Sequence, residues 1–178
     1  MPSTEERVLV LRSLHGDREA FGEIVHLHQQ AVFGVAYRML GNVHDAEDAA
    51  QEAFIRAYRF LDAFEPDRPL GPWLNRITFN VCMNRLETGK QLLDIDEEAA
   101  SSPEPDPERQ AVVRDSKERI RYELDRLPLR YRAAIELRHF QEMSYADIAK
   151  QLHRSLADVK SDLFRARKLL AERLRDLK

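Results

Sequence analysis

Residues 144–173 read SYADIAKQLHRSLADVKSDLFRARKLLAER, and this stretch decides how the C-terminal part of the chain folds. A Ser-x-x-Asp pattern occurs at Ser144 and again at Ser155. It predicts the capped start of a helix each time, because the serine oxygen can accept a backbone hydrogen bond. Apolar residues recur at helical spacing after both serines, with a short break at residues 153–155. Two short helices joined by such a tight turn predict a helix-turn-helix, a unit that fits the major groove of DNA.

The second of these helices is predicted to have a basic outward face. Its outward positions are Lys160, Ser161, Phe164, Arg165, Arg167 and Lys168. Arginine and lysine can contact phosphates or guanine edges, and serine can serve either purpose. An ordinary helical hairpin with a solvated basic face has the same pattern, so this stretch alone leaves both interpretations open.

The composition limits the class of protein. A chain of 178 residues suggests one or two domains, and 43% hydrophobic residues with only 6 glycines favour an all-α fold with real cores. The sequence has no apolar window of 18 residues, so we expect no membrane insertion. The single cysteine, Cys82, excludes an internal disulfide, and the N-terminus lacks the pattern of a secretory signal. A cytoplasmic location is therefore expected.

The net charge of −3 conceals a strong asymmetry along the chain. Residues 117–178 carry 16 Lys and Arg against 10 Asp and Glu, whereas residues 87–116 carry 3 against 9. Residues 1–86 are mildly acidic, with 9 against 12. A basic unit after an acidic segment indicates one domain that faces nucleic acid, and the acidic N-terminal part suggests a protein partner.

The N-terminal part is predicted to form successive helices. They run from Thr4 to Leu14, from the cap residue Asp17 to Gly41, from Val43 to Phe60, and from Trp73 to Leu86. The third helix should pack through Ala46, Ala49, Ala50, Ala53, Phe54, Ala57 and Tyr58. The fourth should bury Trp73, Leu74, Ile77, Val81 and Cys82. Three prolines in residues 62–72 predict a stiff loop before it, and the acidic, proline-rich segment after it predicts a linker.

Four stretches in order resemble the extracytoplasmic-function, or group IV, sigma factors of bacterial RNA polymerase. They are GDREAFGEIVHLHQQAVFGVAYRMLG with DAEDAAQEAFIRAYRFLDAF, then PWLNRITFNVCMNRL, then LDRLPLRYRAAIELRHFQEMSYADIAKQL, and last DVKSDLFRARKLL. The resemblance implies an all-α chain of two small helical domains joined by an acidic Pro-rich linker. Region 2 would occupy residues 1–88, the linker 89–110, and region 4, which contains the helix-turn-helix, 111–178.

The resemblance also implies three sets of contact residues. The set for the coiled coil of the largest subunit of core RNA polymerase is Asp45, Asp48, Gln51, Glu52, Phe54 and Ile55. The set for the minus-10 element of promoter DNA is Phe64, Leu70, Arg76, Asn80 and Arg85. The set for the minus-35 element is Arg138, Tyr145, Arg154, Lys160, Ser161, Phe164 and Arg165. The family further implies control by an anti-sigma factor.

Within the minus-10 set, the residue types suit a flipped base. Asn80 could present both a donor and an acceptor to a base edge, and Arg76 and Arg85 could hold the non-template backbone. Phe64 is the preferred candidate for the base-facing aromatic residue, because the helical spacing of Trp73 favours the core. Within the minus-35 set, the resemblance implies that Arg138, Tyr145 and Arg154 contact phosphates or brace the unit.

Three positions depart from the family pattern. Ala157-Asp158-Val159 stands where members often carry Gly-Thr-Val, and Asp162 stands where a basic residue is usual. If Asp162 faced a phosphate it would weaken DNA binding; pairing with Arg165 or Lys168 would avoid this. Arg68-Pro69-Leu70 replaces the common Ser-Ala-Phe of the loop, so the base preference at minus-10 stays open.

Two other classes of protein share parts of this pattern. Glu23-x-x-His26 and Glu136-x-x-His139, with Asp45, Asp48 and Glu52, could form a di-iron site in a helical bundle, although the second pair lies in the basic part beside Arg138. A helix-turn-helix repressor explains the C-terminal part but leaves the DAEDAAQEAF and PWLNRITFN segments without a role. The sequence contains no nucleotide loop, nucleophile–base pair or metal cluster of diagnostic spacing. No catalysis and no cofactor are therefore expected.

Overall fold

The computed structural model describes residues 3–93 and 116–175, and in these ranges all regular structure is helical. The chain divides into two compact units, residues 1–88 and residues 89–178. Most of the predicted linker, residues 94–110, lies outside the described residues. Residues 89–93, where the linker was predicted to start, are helical and continue the helix that begins at Leu70.

The first unit begins with three helices: α1 (Thr4–Leu14), α2 (Arg18–Leu40) and α3 (Val43–Arg59). Each start is capped by a polar side chain, from Ser3, Asp17 and Asn42, which accepts backbone N–H bonds that have no intrahelical partner. α2 ends at Gly41, whose φ of 79° suits the left-handed conformation of a helix C-terminus. These boundaries confirm the local predictions.

The core of this unit lies where α2 packs against α1 on one side and α3 on the other. From α3 it buries Ala46, Ala49, Ala50, Ala53, Phe54 and Ala57. Alanines let the two helix backbones approach closely, so the many-alanine stripe of α3 positions it tightly on α2. Tyr58 was wrongly predicted in this stripe: it is 42% exposed, and its ring meets the edge of Phe21 at a centroid distance of 4.8 Å.

A short 3-10 turn (Leu61–Ala63) and the proline loop lead to α4 (Leu70–Leu93). α4 begins three residues earlier than predicted, because Pro72 falls in its first turn, where a missing N–H costs no hydrogen bond. The buried face therefore runs through Leu70, Leu74, Thr78, Phe79, Val81 and Cys82. Trp73 and Ile77 are only half-buried, since this face is displaced by one residue from the predicted one.

The second unit contains α5 (Ser116–Asp125), α6 (Leu129–Ile135), α7 (Tyr145–Gln151) and α8 (Leu156–Arg173). A π-helical turn, Glu136–Phe140, continues α6. α8 packs against α6 and α7. Its apolar contacts are made by Val159, Leu163 and Ala166, all of them buried as the spacing predicts.

The turn between α7 and α8 is built from local signals. Ser144 and Ser155 accept the backbone N–H of Asp147 and Asp158 at 3.1 and 3.0 Å. α7 ends where His153 takes φ 52° and the N–H of Arg154 donates to the Ala149 carbonyl at 2.9 Å. This hydrogen bond closes the helix end as a Schellman motif does. The predicted helix-turn-helix is confirmed.

We expect Ser155→Ala to destabilise the second unit by about 1 kcal/mol, because the first turn of α8 loses its side-chain acceptor. The thermal or urea unfolding transition of the full chain, followed by circular dichroism, measures this. Ser155→Asp retains a capping oxygen and should keep most of the stability. Equal stability of the alanine variant and the parent would contradict a capping role.

Candidate functional site

A groove of about 710 Å³ lies between α2 and α3 of the first unit. Its apolar walls are Phe21, Val25, Phe54, Ile55 and Tyr58. Its polar rim carries two carboxylates and one guanidinium: Gln29, Glu47, Asp48, Gln51 and Arg59. Ile55 is 47% exposed, which is unusual for a large apolar side chain on a well-packed helix. An open apolar groove with an acidic rim suits a partner that presents apolar and basic side chains.

The groove collects four of the residues predicted to bind polymerase: Asp48, Gln51, Phe54 and Ile55. Asp45 lies outside it, exposed at the start of α3, where its carboxylate accepts a hydrogen bond of 2.5 Å from the Asn42 amide. The sequence did not identify the α2 residues Phe21 and Val25, because only helix packing brings them beside α3. The sequence placed the exposed Tyr58 in the buried stripe of α3, because it follows the helical spacing of the alanines there.

Glu52, the remaining residue of that set, is turned towards its own domain. Its carboxylate accepts hydrogen bonds from Arg56 at 2.5 Å and from Arg85 at 2.8 and 3.2 Å. The bond from Arg85 is the main reason that the pKa of Glu52 lies below its ordinary value, with Arg56 adding to it. Arg85 was predicted to hold DNA, so two residues expected on different interfaces are bound to each other.

The minus-10 set is divided between core and surface. Phe64 and Leu70 are only 6% and 1% exposed, and the Phe64 ring packs on Trp73 at a centroid distance of 4.9 Å. The prediction that Phe64 faces a base is not supported, because the apolar loop residues fill the space under α4. Arg76 and Asn80 lie on the exposed side of α4.

The proline loop is also tied to α1. The Arg7 guanidinium lies 3.0 Å from the Asp67 carboxylate, and both side chains are exposed. Closer to the core, His28 of α2 lies 2.8 Å from Glu6. The Arg7–Asp67 pair is exposed and stabilises the loop only slightly, whereas the His28–Glu6 contact joins α2 to α1 beside Gly71 at the start of α4.

In the second unit, the outward face of α8 is exposed as predicted. Phe164 is 69% exposed, the largest value among the exposed large hydrophobic residues of the described chain. Lys160 and Arg165 are exposed beside it, and Ser161 is half-buried. An aromatic ring and two cations on one helix face can contact base edges and phosphates in a groove.

A second basic cluster joins α6, α7 and α8. The Arg138 guanidinium lies 5.0 Å from the centre of the Tyr145 ring, and Arg167 donates to the Tyr145 hydroxyl at 3.3 Å. The bond from Arg167 is the main reason that the pKa of Tyr145 is lowered. Arg167 was not among the predicted contact residues, although its place on the basic face of α8 was visible in the sequence.

His139 adjoins this cluster as a neutral side chain. Its Nε2 accepts a hydrogen bond from Arg167 Nε at 3.3 Å, which requires an unprotonated nitrogen. Burial first, and then the charges of Arg167 and Arg138, lower the pKa of His139. Both effects disfavour the imidazolium form, so the charge of the cluster comes from the arginines.

Asp162 lies inside the unit and not on the exposed basic face of α8. It is 5% exposed, and its carboxylate lies 2.8 Å from Arg154 and 4.0 Å from Arg130. Burial raises the pKa of Asp162 more than the two arginines lower it. In place of the pairing with Arg165 or Lys168 that the sequence left open, the closest contacts of Asp162 are with Arg154 and Arg130, and the charge of Arg165 also lowers its pKa. Arg154 thus pairs with Asp162 within the unit, and its role towards DNA stays a prediction.

Asp158 lies at the first turn of α8, and its charge is held locally. Its carboxylate accepts a hydrogen bond of 2.7 Å from the Ser155 hydroxyl, which is the main cause of its lowered pKa. A carboxylate in the first turn also complements the helix dipole. The departure from the family pattern at this position thus completes the cap.

Two carboxylates of the di-iron alternative, Glu23 and Glu52, lie beside arginines. Glu23 lies 3.7 Å from Arg12, and Glu52 is bound by Arg56 and Arg85. Within residues 3–93 and 116–175, no group of three His, Cys, Asp or Glu side chains is arranged to hold a metal ion. In the same ranges no helix is both long and apolar enough to cross a membrane.

Two family models match the chain. The Sigma-70 region 2 model matches residues 24–91, and the Sigma-70 region 4 model matches residues 117–170. Together they match most of both helical units, and α1 lies outside the matched residues.

Similar proteins span nearly the same length. The chain is 36% identical to the ECF RNA polymerase sigma factor SigW of Bacillus subtilis, over 91% of this chain and 92% of that protein. It is 35% identical to the RNA polymerase sigma-H factor of Pseudomonas aeruginosa, over 97% and 95%.

Two solved structures share the fold. CnrH in complex with the cytosolic domain of CnrY matches with a TM-score of 0.57 and 26% identity, covering 97% of this chain and 98% of that one. The sigma factor RpoE of Bartonella quintana, solved with the anti-sigma factor NepR, matches with a TM-score of 0.64, 23% identity, and coverage of 87% and 96%.

Proposed function

The chain belongs to the extracytoplasmic-function (group IV) sigma factors of bacterial RNA polymerase, and from this premise we propose how its surfaces divide the work. Its function is to bind core RNA polymerase, to recognise the minus-35 and minus-10 elements of promoters, and to help melt the DNA at which transcription starts. One observation supports this division of roles: the first unit presents an apolar groove with carboxylates on its rim, and the second presents a basic helix-turn-helix.

The groove between α2 and α3 is the proposed docking surface for the coiled coil of the largest polymerase subunit. Ile55 and Phe54 would receive its apolar side chains, and Asp48 and Gln51 would meet its basic and polar ones. Asp45, exposed at the start of the same helix, would extend the acidic rim. Charge on the rim steers association, and the exposed apolar area supplies the binding energy.

The exposed side of α4 is the proposed contact for the melted minus-10 strand. Asn80 carries both a donor and an acceptor for a base edge, and Arg76 lies one turn earlier, where it can hold a phosphate. Trp73 is half-buried at the start of α4, and it replaces Phe64 as the aromatic residue available to a flipped base.

The basic face of α8 is the proposed contact for the minus-35 element. Lys160, Ser161, Phe164 and Arg165 would enter the major groove, and Arg138 and Tyr145 would contact the phosphates beside it. Arg154 is held by Asp162 and would act by keeping the turn in place.

An anti-sigma factor and a cytoplasmic location complete the proposal. CnrH, which shares this fold at 26% identity, is bound to the cytosolic domain of CnrY, and a comparable partner would control this chain. The chain would have no catalytic activity of its own and would act inside the cell with polymerase and promoter DNA. No cofactor enters the proposal.

Run-off transcription with purified core polymerase and a library of randomised promoters tests the proposal. Transcripts from templates that share two spaced boxes would support it and reveal the base preferences. Absence of transcripts together with failure to co-migrate with core polymerase would refute it. Binding of duplex operator by the chain alone would favour the repressor alternative.

Asn80→Ala should then reduce promoter opening by about tenfold or more while leaving the affinity for core polymerase unchanged, because a base-edge contact exists only in the melted complex. Permanganate reactivity of the minus-10 thymines measures opening, and fluorescence anisotropy of the labelled chain measures core binding. Asn84→Ala, a neighbouring exposed asparagine on α4, is the matched control. Equal losses in both assays would place Asn80 outside the DNA contact.

A further inference from the structure

The carboxylate of Glu52 joins two helices that face different partners. Glu52 lies on α3 and Arg85 on α4, 33 residues apart in the chain. One oxygen, Oε2, accepts from Arg85 Nη2 at 2.8 Å and from Arg85 Nε at 3.2 Å. The other oxygen, Oε1, accepts from Arg56 Nη2 at 2.5 Å. Both oxygens are thus occupied by guanidinium donors of the same domain.

The position of this pair connects the two proposed surfaces. Gln51 precedes Glu52 and Ile55 follows it by three residues, and both line the groove on α3. Arg85 lies on α4, whose exposed side carries Asn80. The side chains of Glu52 and Arg85 are 33% and 34% exposed, so solvent screens their attraction less than it screens a fully exposed pair. A two-donor bond from a planar guanidinium also sets the orientation of the side chain that makes it.

Asp48, on the same helix, differs from Glu52 in having no hydrogen-bond or ion-pair partner within the described residues. It lies one turn before Glu52 and is exposed on the rim of the groove. Three of the roughly four acceptor sites of the Glu52 carboxylate are already used within the domain, so a contact with polymerase would have to replace these bonds or use the site that is left. Replacement gains little, since new charge-assisted bonds would only take the place of those already made. Asp48 can contact a partner without such a loss.

We propose that Glu52 is a positioning residue, which acts through Arg85 to hold the DNA-facing helix α4 in a fixed orientation on the polymerase-facing helix α3. This inference rests on the proposed function and changes two contacts expected from the sequence: Glu52 does not bind polymerase, and Arg85 does not bind the DNA backbone. The pair transmits the docked position of α3 to the residues of α4 that meet the melted strand.

A double-mutant cycle on the full chain tests the proposal. The variants are Glu52→Gln, Arg85→Met and the two combined, with Asp48→Asn as the matched carboxylate-to-amide change on the same helix. Each is measured for its affinity for core polymerase and, as holoenzyme saturated with that variant, for the rate of promoter opening. Circular dichroism and the emission of the single tryptophan, Trp73, show whether each variant is folded.

Glu52→Gln or Arg85→Met alone should slow promoter opening by about tenfold and leave the affinity for core polymerase unchanged within about twofold. The double variant should open promoters no more slowly than either single variant, because the effects of two coupled residues do not add. Asp48→Asn should instead weaken core binding and open promoters normally at saturation. A loss of core affinity in Glu52→Gln, matching that of Asp48→Asn and absent from Arg85→Met, would overturn the proposal. So would additive effects of the two substitutions on opening.

The same data separate this inference from the proposed docking surface. If Asp48→Asn leaves core affinity intact, the groove assignment fails, yet the cycle between Glu52 and Arg85 is still measured by the rate of opening. If the glutamine variant does not fold, Glu52→Asp keeps the charge on a shorter side chain. Holoenzyme that contains Glu52→Asp alone should then open promoters slowly, and adding Arg85→Met should slow opening no further. Additive effects of the two substitutions on opening would again overturn the coupling.

Discussion

Asp48→Lys is expected to lower the affinity of the chain for core RNA polymerase about 100-fold or more, because like charges opposed across an interface cost several kcal/mol. Asp48 lies on the exposed rim of the groove between α2 and α3, where it has no partner within the described residues to compensate for the change. The lysine would face the basic residues that the acidic rim is proposed to meet. Titration of labelled core polymerase at two salt concentrations measures both the affinity and its electrostatic part.

Glu5→Lys is the matched control, since it makes the same change of charge at an exposed position of α1 that does not line the groove. It should bind polymerase almost as the parent does. The loss in Asp48→Lys should shrink as salt rises, because exposed charges are screened within about 10 Å at 0.1 M salt. An equal loss in both lysine variants would mean that net charge, and not the groove, controls binding.

Arg154→Ala is expected to destabilise the second unit by about 3 kcal/mol, because it leaves the Asp162 carboxylate buried without its closest partner. Arg130 remains 4.0 Å from the carboxylate, so the expected destabilisation lies near the lower end of what breaking a buried ion pair costs. Asp162→Asn should cost about 1 kcal/mol or less, since the amide oxygen can still accept from Arg154 and no charge is buried. Urea unfolding of the full chain compares the two variants.

The pH dependence gives a second signature of Asp162. Burial raises its pKa in the folded state above the ordinary value of 3.8, so the folded protein holds this proton to higher pH than the unfolded chain. The contribution of the Asp162 carboxyl group to the free energy of unfolding therefore falls as pH rises from about 3.8 through the raised pKa of the folded state. It stays low at higher pH. Asp162→Asn should remove this decline. An Asp162→Asn variant that is less stable than Arg154→Ala at neutral pH would contradict the buried-charge argument.

Local features of the helices were predictable because their causes are local. The caps at Ser3, Asp17, Asn42, Ser144 and Ser155 are interactions between residues two or three apart, and the amino-acid order alone specifies them. The helix-turn-helix follows from two such caps and a short break. The basic C-terminal and acidic N-terminal parts follow from counting charges, and the family follows from motifs in a particular order.

Errors arose where a local pattern had more than one solution in space. The buried face of α4 depends on how the helix packs, and in the structure Thr78 and Phe79 are buried whereas Trp73 and Ile77 stay half-buried. Tyr58 continues the alanine spacing of α3 but lies at the edge of the α2 contact, where no helix covers it.

Amino-acid order alone was sufficient for the helices, their caps, the charge division and the family, because short-range hydrogen bonds, periodicity and composition specify them. Only the packed structure decided the partners of the charged residues. Glu52 meets Arg85 across 33 residues, and Asp162 meets Arg154 because α8 turns that carboxylate inward. A sequence does not show whether a charged residue contacts a partner protein, DNA or another residue of the same chain. Their role is determined by distance and burial, which exist only once the helices have packed.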